Sequence, residues 1–199
     1  MLKFPSVFVT AKRVAQPDVA IITNIGDAHI EFLGSRDAIA QEKGSLAEAL
    51  TADGHLVLNS SDAYSDVIAS RTRASVIRAG LTSGAVQAAD IATDADGSEF
   101  TLKSNGCAVR ARLGVPGTHM IENALLAVAT GLVFNLSLAE CASALTEIRL
   151  TKGRLEQKII RGIRVIDDTY NANPDSMRAA LATLAASGDG GKRGQGGAH

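Results

Sequence analysis

DVAIITN, residues 18–24, is the stretch on which the fold turns. Its apolar residues run on without an alternating polar face, so the spacing predicts a strand buried on both sides, as in a parallel sheet. A loop, IGDAHIEFLGS, follows it. Then RDAIAQEKGSLAEAL (36–50) has helical spacing, with Ile39, Leu46 and Leu50 on one face. HLVLN reads as strand, SDAYSDVIAS as helix and SVIRAG as strand. Strands alternating with helices predict an α/β class: a parallel sheet with crossover helices.

Further along, the pattern changes. SEFTLKS and CAVRARL flank Asn105-Gly106, a pair suited to a type I′ hairpin turn because both residues accept φ > 0. Pairing across that turn sets Leu102 opposite Val109 and Phe100 opposite Ala111, which gives one apolar face to an antiparallel hairpin. MIENALLAVATGLVF reads as a long, mostly buried helix and LAECASALTEI as another. A break near 147–153 (EIRLTKG) marks a domain junction. Beyond it come RLEQKII, a turn at Arg161-Gly162 and the strand IRVI. Asn173-Pro174 opens a helix running to about Ala186, with Asn as N-cap and Pro in the first turn. The last segment, 187–199, holds six glycines in thirteen residues and is expected to be disordered. Residues 1–15 receive no assignment.

Composition narrows the function classes. The chain has 199 residues, of which 46% are hydrophobic, so it has material for a sizeable core. Lys+Arg number 20 against Asp+Glu 21, and the pI is near 6.4, which argues against a general nucleic-acid binder. No run approaches the ~18 apolar residues of a membrane-spanning helix. Cys107 and Cys141 form no CxxC or Cys/His pattern and read as reduced thiols, consistent with a cytoplasmic protein.

Two residues stand out chemically. Lys43 falls in the middle of the stripe made by Ile39, Leu46, Ala47 and Leu50. A lysine there either snorkels outward or is held where a depressed amine pKa is useful. His29 lies past the carboxyl end of the first strand, where open α/β sheets place their ligands, although a lone loop histidine is more often structural or solvated.

The string TNIGDAHIEFLGSRDAIAQEKGSLAEAL resembles the Mur ligase superfamily, and in particular its MurF-type members. In that family a histidine of the [ST]-N-I-G-x-A-H loop helps bind magnesium, and a lysine about fourteen residues later is carbamylated. His29 and Lys43 match those positions, so the resemblance makes both metal-site residues and Lys43 catalytic. GTHMIENALLAVA resembles the segment whose last asparagine contacts the nucleotide, here Asn123; Met120 stands where many members carry asparagine. GRLEQ and VIDDTYNANPDSMRAAL are similar to strings characteristic of MurF-type enzymes. They imply that Arg154 contacts ATP phosphates and Asp168 the ribose, with Tyr170, Asn171 and Asn173 as possible contacts to nucleotide or substrate. Asn173 also has the plainer reading of a helix cap.

From the resemblance follow ATP and Mg²⁺ as cofactors, with UDP-MurNAc-tripeptide and D-alanyl-D-alanine as substrates. It also implies a monomer that neither binds nucleic acid nor inserts into a membrane. Residues 16–150 would be part of the central ATPase domain, and 151–186 the start of a Rossmann-like C-terminal domain. No G-x-x-x-x-G-K-[ST] loop is present, and Gly190-Gly191-Lys192 does not supply one because Arg193 follows. The family's UDP-binding domain and a metal-binding glutamate are missing as well. The ends are therefore expected to be those of a truncated or frameshifted frame, inactive in isolation. Two rival readings are a non-catalytic module with weak nucleotide binding and another superfamily ligase, such as a folylpolyglutamate synthase.

Overall fold

The computed structural model describes residues 16–28, 30–94, 96–148, 152–170 and 173–186. The elements named below lie within those residues. Six strands form one sheet in sequence order: β1 (Val19–Ile22), β2 (His55–Asn59), β3 (Ser75–Gly80), β4 (Val86–Thr93), β5 (Ser98–Ser104) and β6 (Cys107–Leu113). β1, β2 and β3 run parallel, Ile21 pairing with Val57 and Val57 with Ile77. α1 (Ile30–Leu33) and α2 (Arg36–Ala49) lie between β1 and β2, and α3 (Ser65–Ala69) between β2 and β3. After the sheet come α4 (Thr118–Val133) and α5 (Leu138–Leu145). A separate two-stranded ribbon, β7 (Glu156–Ile160) and β8 (Ile163–Asp167), precedes α6 (Pro174–Ala186).

β2 explains why the sheet is covered on both sides. Its middle residues are all buried, and successive side chains of a strand point to opposite faces. Leu56 and Leu58 pack with Ile22, Ile39, Ala47 and Ile68, on the side of α2. Val57 joins Phe100, Leu102, Leu113, Ile121 and Leu125, on the side of α4. The larger core is closed by α5, which contributes Cys141 and Leu145. α5 starts at a capping box: Ser137 Oγ accepts the Glu140 amide while the Glu140 carboxylate accepts the Ser137 amide.

The hairpin has the register expected from its sequence. Asn105 and Gly106 take φ of 49° and 77°, and Leu102 pairs with Val109, Phe100 with Ala111. The Arg161-Gly162 turn repeats the geometry, with φ of 52° and 78°. α6 begins as expected, the Ser176 amide donating to Asn173 Oδ1 at 2.9 Å. Residues 187–199 lie outside the described residues.

Four elements differ from the sequence reading. β1 is covered on one face only, Ala20 and Ile22 being buried while Ile21 is 41% exposed, because it is the edge strand of the sheet. β4 has no counterpart there, because VQAADIAT carries small alanines and its alternation breaks at Asp90, where φ is 51° and the register to β5 shifts. The loop after β1 contains the short α1. The helix expected over 61–70 forms only from Ser65, since Asp62 caps the preceding turn by accepting the Tyr64 amide at 2.9 Å. β4 is also unusual in direction: after five residues it resumes alongside β3, pairing in parallel at Val86 and Gln87 before turning antiparallel to β5. Gly84 permits this, its φ of 113° bringing the backbone against the Arg78 carbonyl.

Truncating the fully buried Leu125 to alanine is expected to cost about 2–5 kcal/mol, read as a lowered urea midpoint. Gly106→Ala meets open space, so it should cost only the left-handed backbone preference, about 1–2 kcal/mol. Gly84→Ala should cost clearly more, because its Cβ would lie 2.6 Å from the Arg78 oxygen and backbone would have to move. Equal midpoints for the two glycine variants would contradict this packing.

Candidate functional site

α2 delivers Lys43 to the end of the sheet. Ser35 caps the helix, accepting the Ala38 amide at 3.1 Å, and Ile39, Ala40 and Ala47 bury its inner face. Lys43 is half-buried among them, and its Nζ donates to the Asn24 carbonyl at 2.9 Å, two residues beyond β1. Burial pulls the amine's pKa below the ordinary lysine value, while the charge of Asp62 acts in the opposite sense. The stripe therefore holds the lysine inward. His29, its expected partner, lies outside the described residues. Among the described residues no three His, Cys, Asp or Glu side chains gather as a ready metal cage.

The remaining residues gather around the ribbon. The Arg154 guanidinium lies over the Tyr170 ring, 4.2 Å from its centroid, a cation–π arrangement. The Tyr170 amide donates to the Gly153 carbonyl at 2.9 Å, and the Leu155 amide donates to Asp168 Oδ1 at 3.2 Å. Those two bonds bring 153–155 beside 168–170, so Arg154, Asp168 and Tyr170 form one group. A cavity of about 610 Å³ adjoins it, with Pro116, Ile148, Lys152, Arg154 and Gln157 in its wall. Asn123 sits on the exposed face of α4. Asn171 lies outside the described residues, and the Asn173 side chain is engaged in capping α6.

The sequence reading gave His119 no role. It stands one helical turn before Asn123, half-buried, and its Cε1 would lie 2.8 Å from a Cβ on Gly117. Burial lowers its pKa, and the charge of Asp168 opposes that shift. It thus lies within electrostatic reach of Asp168, the residue after β8. Asp27, Arg36 and Asp175 were also missed: Arg36 Nε pairs with Asp27 Oδ1 at 2.6 Å, and the Asp27 amide donates to Asp175 Oδ2 at 2.8 Å. Partners 148 residues apart leave no local sequence signal. His119, by contrast, lies inside GTHMIENALLAVA, where a local sequence signal exists.

The chain as a whole resembles known proteins in sequence and fold. Residues 8–131 match the Mur ligase middle domain. The chain is 39% identical over 176 residues to the UDP-N-acetylmuramoyl-tripeptide–D-alanyl-D-alanine ligase of Mycobacterium tuberculosis, covering 86% of this chain and 34% of that protein. The MurF crystal structure from Acinetobacter baumannii superposes with a TM-score of 0.85 at 32% identity, over 89% of this chain and 39% of that one. The MurF ligase of Thermotoga maritima in complex with ADP gives a TM-score of 0.78 at 19% identity, covering 92% of this chain and 42% of that one, a likeness of fold. The chain thus spans about a third of the length of the curated relatives it matches. With a middle-domain match over more than half its length, the chain belongs to the Mur ligase family.

Proposed function

We propose that this chain is the central part of an ATP-dependent ligase of peptidoglycan precursor synthesis, one that joins D-alanyl-D-alanine to UDP-MurNAc-tripeptide. The observation that carries the reading is the half-buried Lys43 amine, held at the carboxyl end of β1 with a lowered pKa. The names of the relatives at 30% identity and above supply the substrates. Residues 16–150 would belong to the central domain and 151–186 would open the C-terminal one. The protein would act in the cytoplasm as a monomer.

In the proposed reaction a carboxylate oxygen of the tripeptide takes the terminal phosphoryl group of ATP and ADP leaves. The amine of D-alanyl-D-alanine then attacks the acyl carbon, phosphate departs, and the nitrogen loses a proton. Burial favours the neutral amine of Lys43, and a neutral amine adds CO2 to give a carbamate and a proton. The carbamate oxygens are hard donors that suit Mg²⁺, so the lysine fits the ion; His29 would complete the pair. Magnesium, when bound, supplies positive charge to phosphoryl oxygens. Arg154, with Lys152 beside it on the cavity wall, offers cations to the phosphates. Asp168 would accept ribose hydroxyls, Asn123 would contact the nucleotide from α4, and Tyr170, Asn171 and Asn173 would contact nucleotide or substrate.

The decisive experiment replaces the matching stretch of the M. tuberculosis relative with residues 16–186 and measures ligation of D-alanyl-D-alanine. Product is expected, and Lys43→Arg should lower kcat at least 100-fold, because arginine keeps the charge and the stem but forms no carbamate. A folded chimera without product, or an arginine variant with unchanged kcat, would refute the reading. A second expectation concerns the 199 residues alone, in which no phosphate-loop motif occurs. They should release no ADP with both substrates present; turnover above background in a pure preparation would contradict this.

A further inference from the structure

The loop after β1 is gripped by two carboxylates from remote parts of the chain. Asp62, beyond β2, accepts the Ile25 amide at 2.6 Å. Asp175, in the first turn of α6, accepts the Asp27 amide at 2.8 Å. The residue between those amides is Gly26, and a Cβ there would lie 2.7 Å from Asp175 Oδ2. α6 thus approaches the loop as closely as a missing side chain allows. Asp175 is itself steered: its Oδ1 pairs with Arg178 at 2.6 Å and lies 3.8 Å from Arg36, the first residue of α2. The ion pairs are exposed and contribute little by themselves. The hydrogen bond from the Asp27 amide is part-buried, and it falls on the same short loop whose Asn24 carbonyl accepts from Lys43.

We propose that Asp175 is a positioning residue for the Lys43 site. By accepting the Asp27 amide across the close approach at Gly26, it holds the 24–28 loop so that the Asn24 carbonyl faces the Lys43 amine. The seating of α6 then sets the position of a lysine carried on α2. The bearing on catalysis rests on the assignment of Lys43 proposed above; the mechanical coupling does not.

The test uses the 199-residue chain. Amide hydrogen exchange is read at Asp27, and brief acetylation at pH 8 is read at Lys43 relative to Lys103 on β5. Asp175→Ala should speed exchange at Asp27 at least tenfold and raise Lys43 acetylation at least threefold, with Leu125 protection unchanged. Asp175→Asn, whose side-chain oxygen can still accept the amide, should stay within about twofold of the parent in both. Gly26→Ala should reproduce the alanine variant, because its methyl displaces the Asp175 carboxylate, yet add little when Asp175 is already alanine. It also covers the case in which Asp175→Ala fails to fold. Unchanged Asp27 exchange overturns the proposal. Faster exchange with unaltered Lys43 acetylation overturns it too, because the bond would then not steer the lysine. Neither measurement involves nucleotide or turnover, so an inactive chimera and a failed coupling are separate results.

Discussion

Burial of β2 on both faces is the constraint from which the rest of the architecture follows. A strand with no solvent side must have a layer above and below it, and α2 and α4 are those layers. Its flanking strands run parallel to it, so each connection has to cross over, and the crossovers place α1, α2 and α3 between strands. Parallel strands also bring their carboxyl ends to one edge of the sheet. There the loops after β1 and β2 meet, and Lys43 reaches that edge because α2 must lay its apolar stripe on the strands. The site is thus a by-product of how the core closes.

Electrostatics at this edge works mainly through hydrogen bonds to fixed backbone. Asp62 and Asp175 each take an amide of the same short loop, while burial of Lys43 favours its neutral form. Asp27 is held below the ordinary carboxylate range by its bond to Arg36. A carboxylate bound to a backbone amide orders more chain than an exposed ion pair does, since it fixes a peptide plane rather than two flexible side chains.

Local rules made much of this legible beforehand. Asn105-Gly106 predicted its hairpin because the turn needs two positive φ angles, and the flanking alternation fixed the register through Leu102–Val109 and Phe100–Ala111. Asn173-Pro174 announced the start of α6 for equally local reasons. The helical wheel placed Lys43 on the inner stripe, but its acceptor at Asn24 belongs to tertiary structure. β4 escaped because alanines carry a weak period and Asp90 interrupts it with a left-handed residue. The influence of Asp168 on His119 and the hydrogen bond accepted by Asp175 depend on how 152–186 seats against the sheet, which no window of sequence encodes.

The pairing of Arg154 with Tyr170 has an optical consequence. The chain contains no tryptophan and two tyrosines, so its near-ultraviolet emission comes from Tyr64 and Tyr170. Their surroundings differ: the Tyr64 hydroxyl donates to Asp37 at 2.7 Å, whereas the Tyr170 ring lies beneath a guanidinium. A carboxylate acceptor on the phenol promotes excited-state proton loss, while a stacked cation perturbs the ring through its field. With Tyr64 replaced by phenylalanine, the chain keeps one tyrosine, and that one is in contact with Arg154. Any event that lifts that arginine from the ring is then visible as a change in emission, with no label attached.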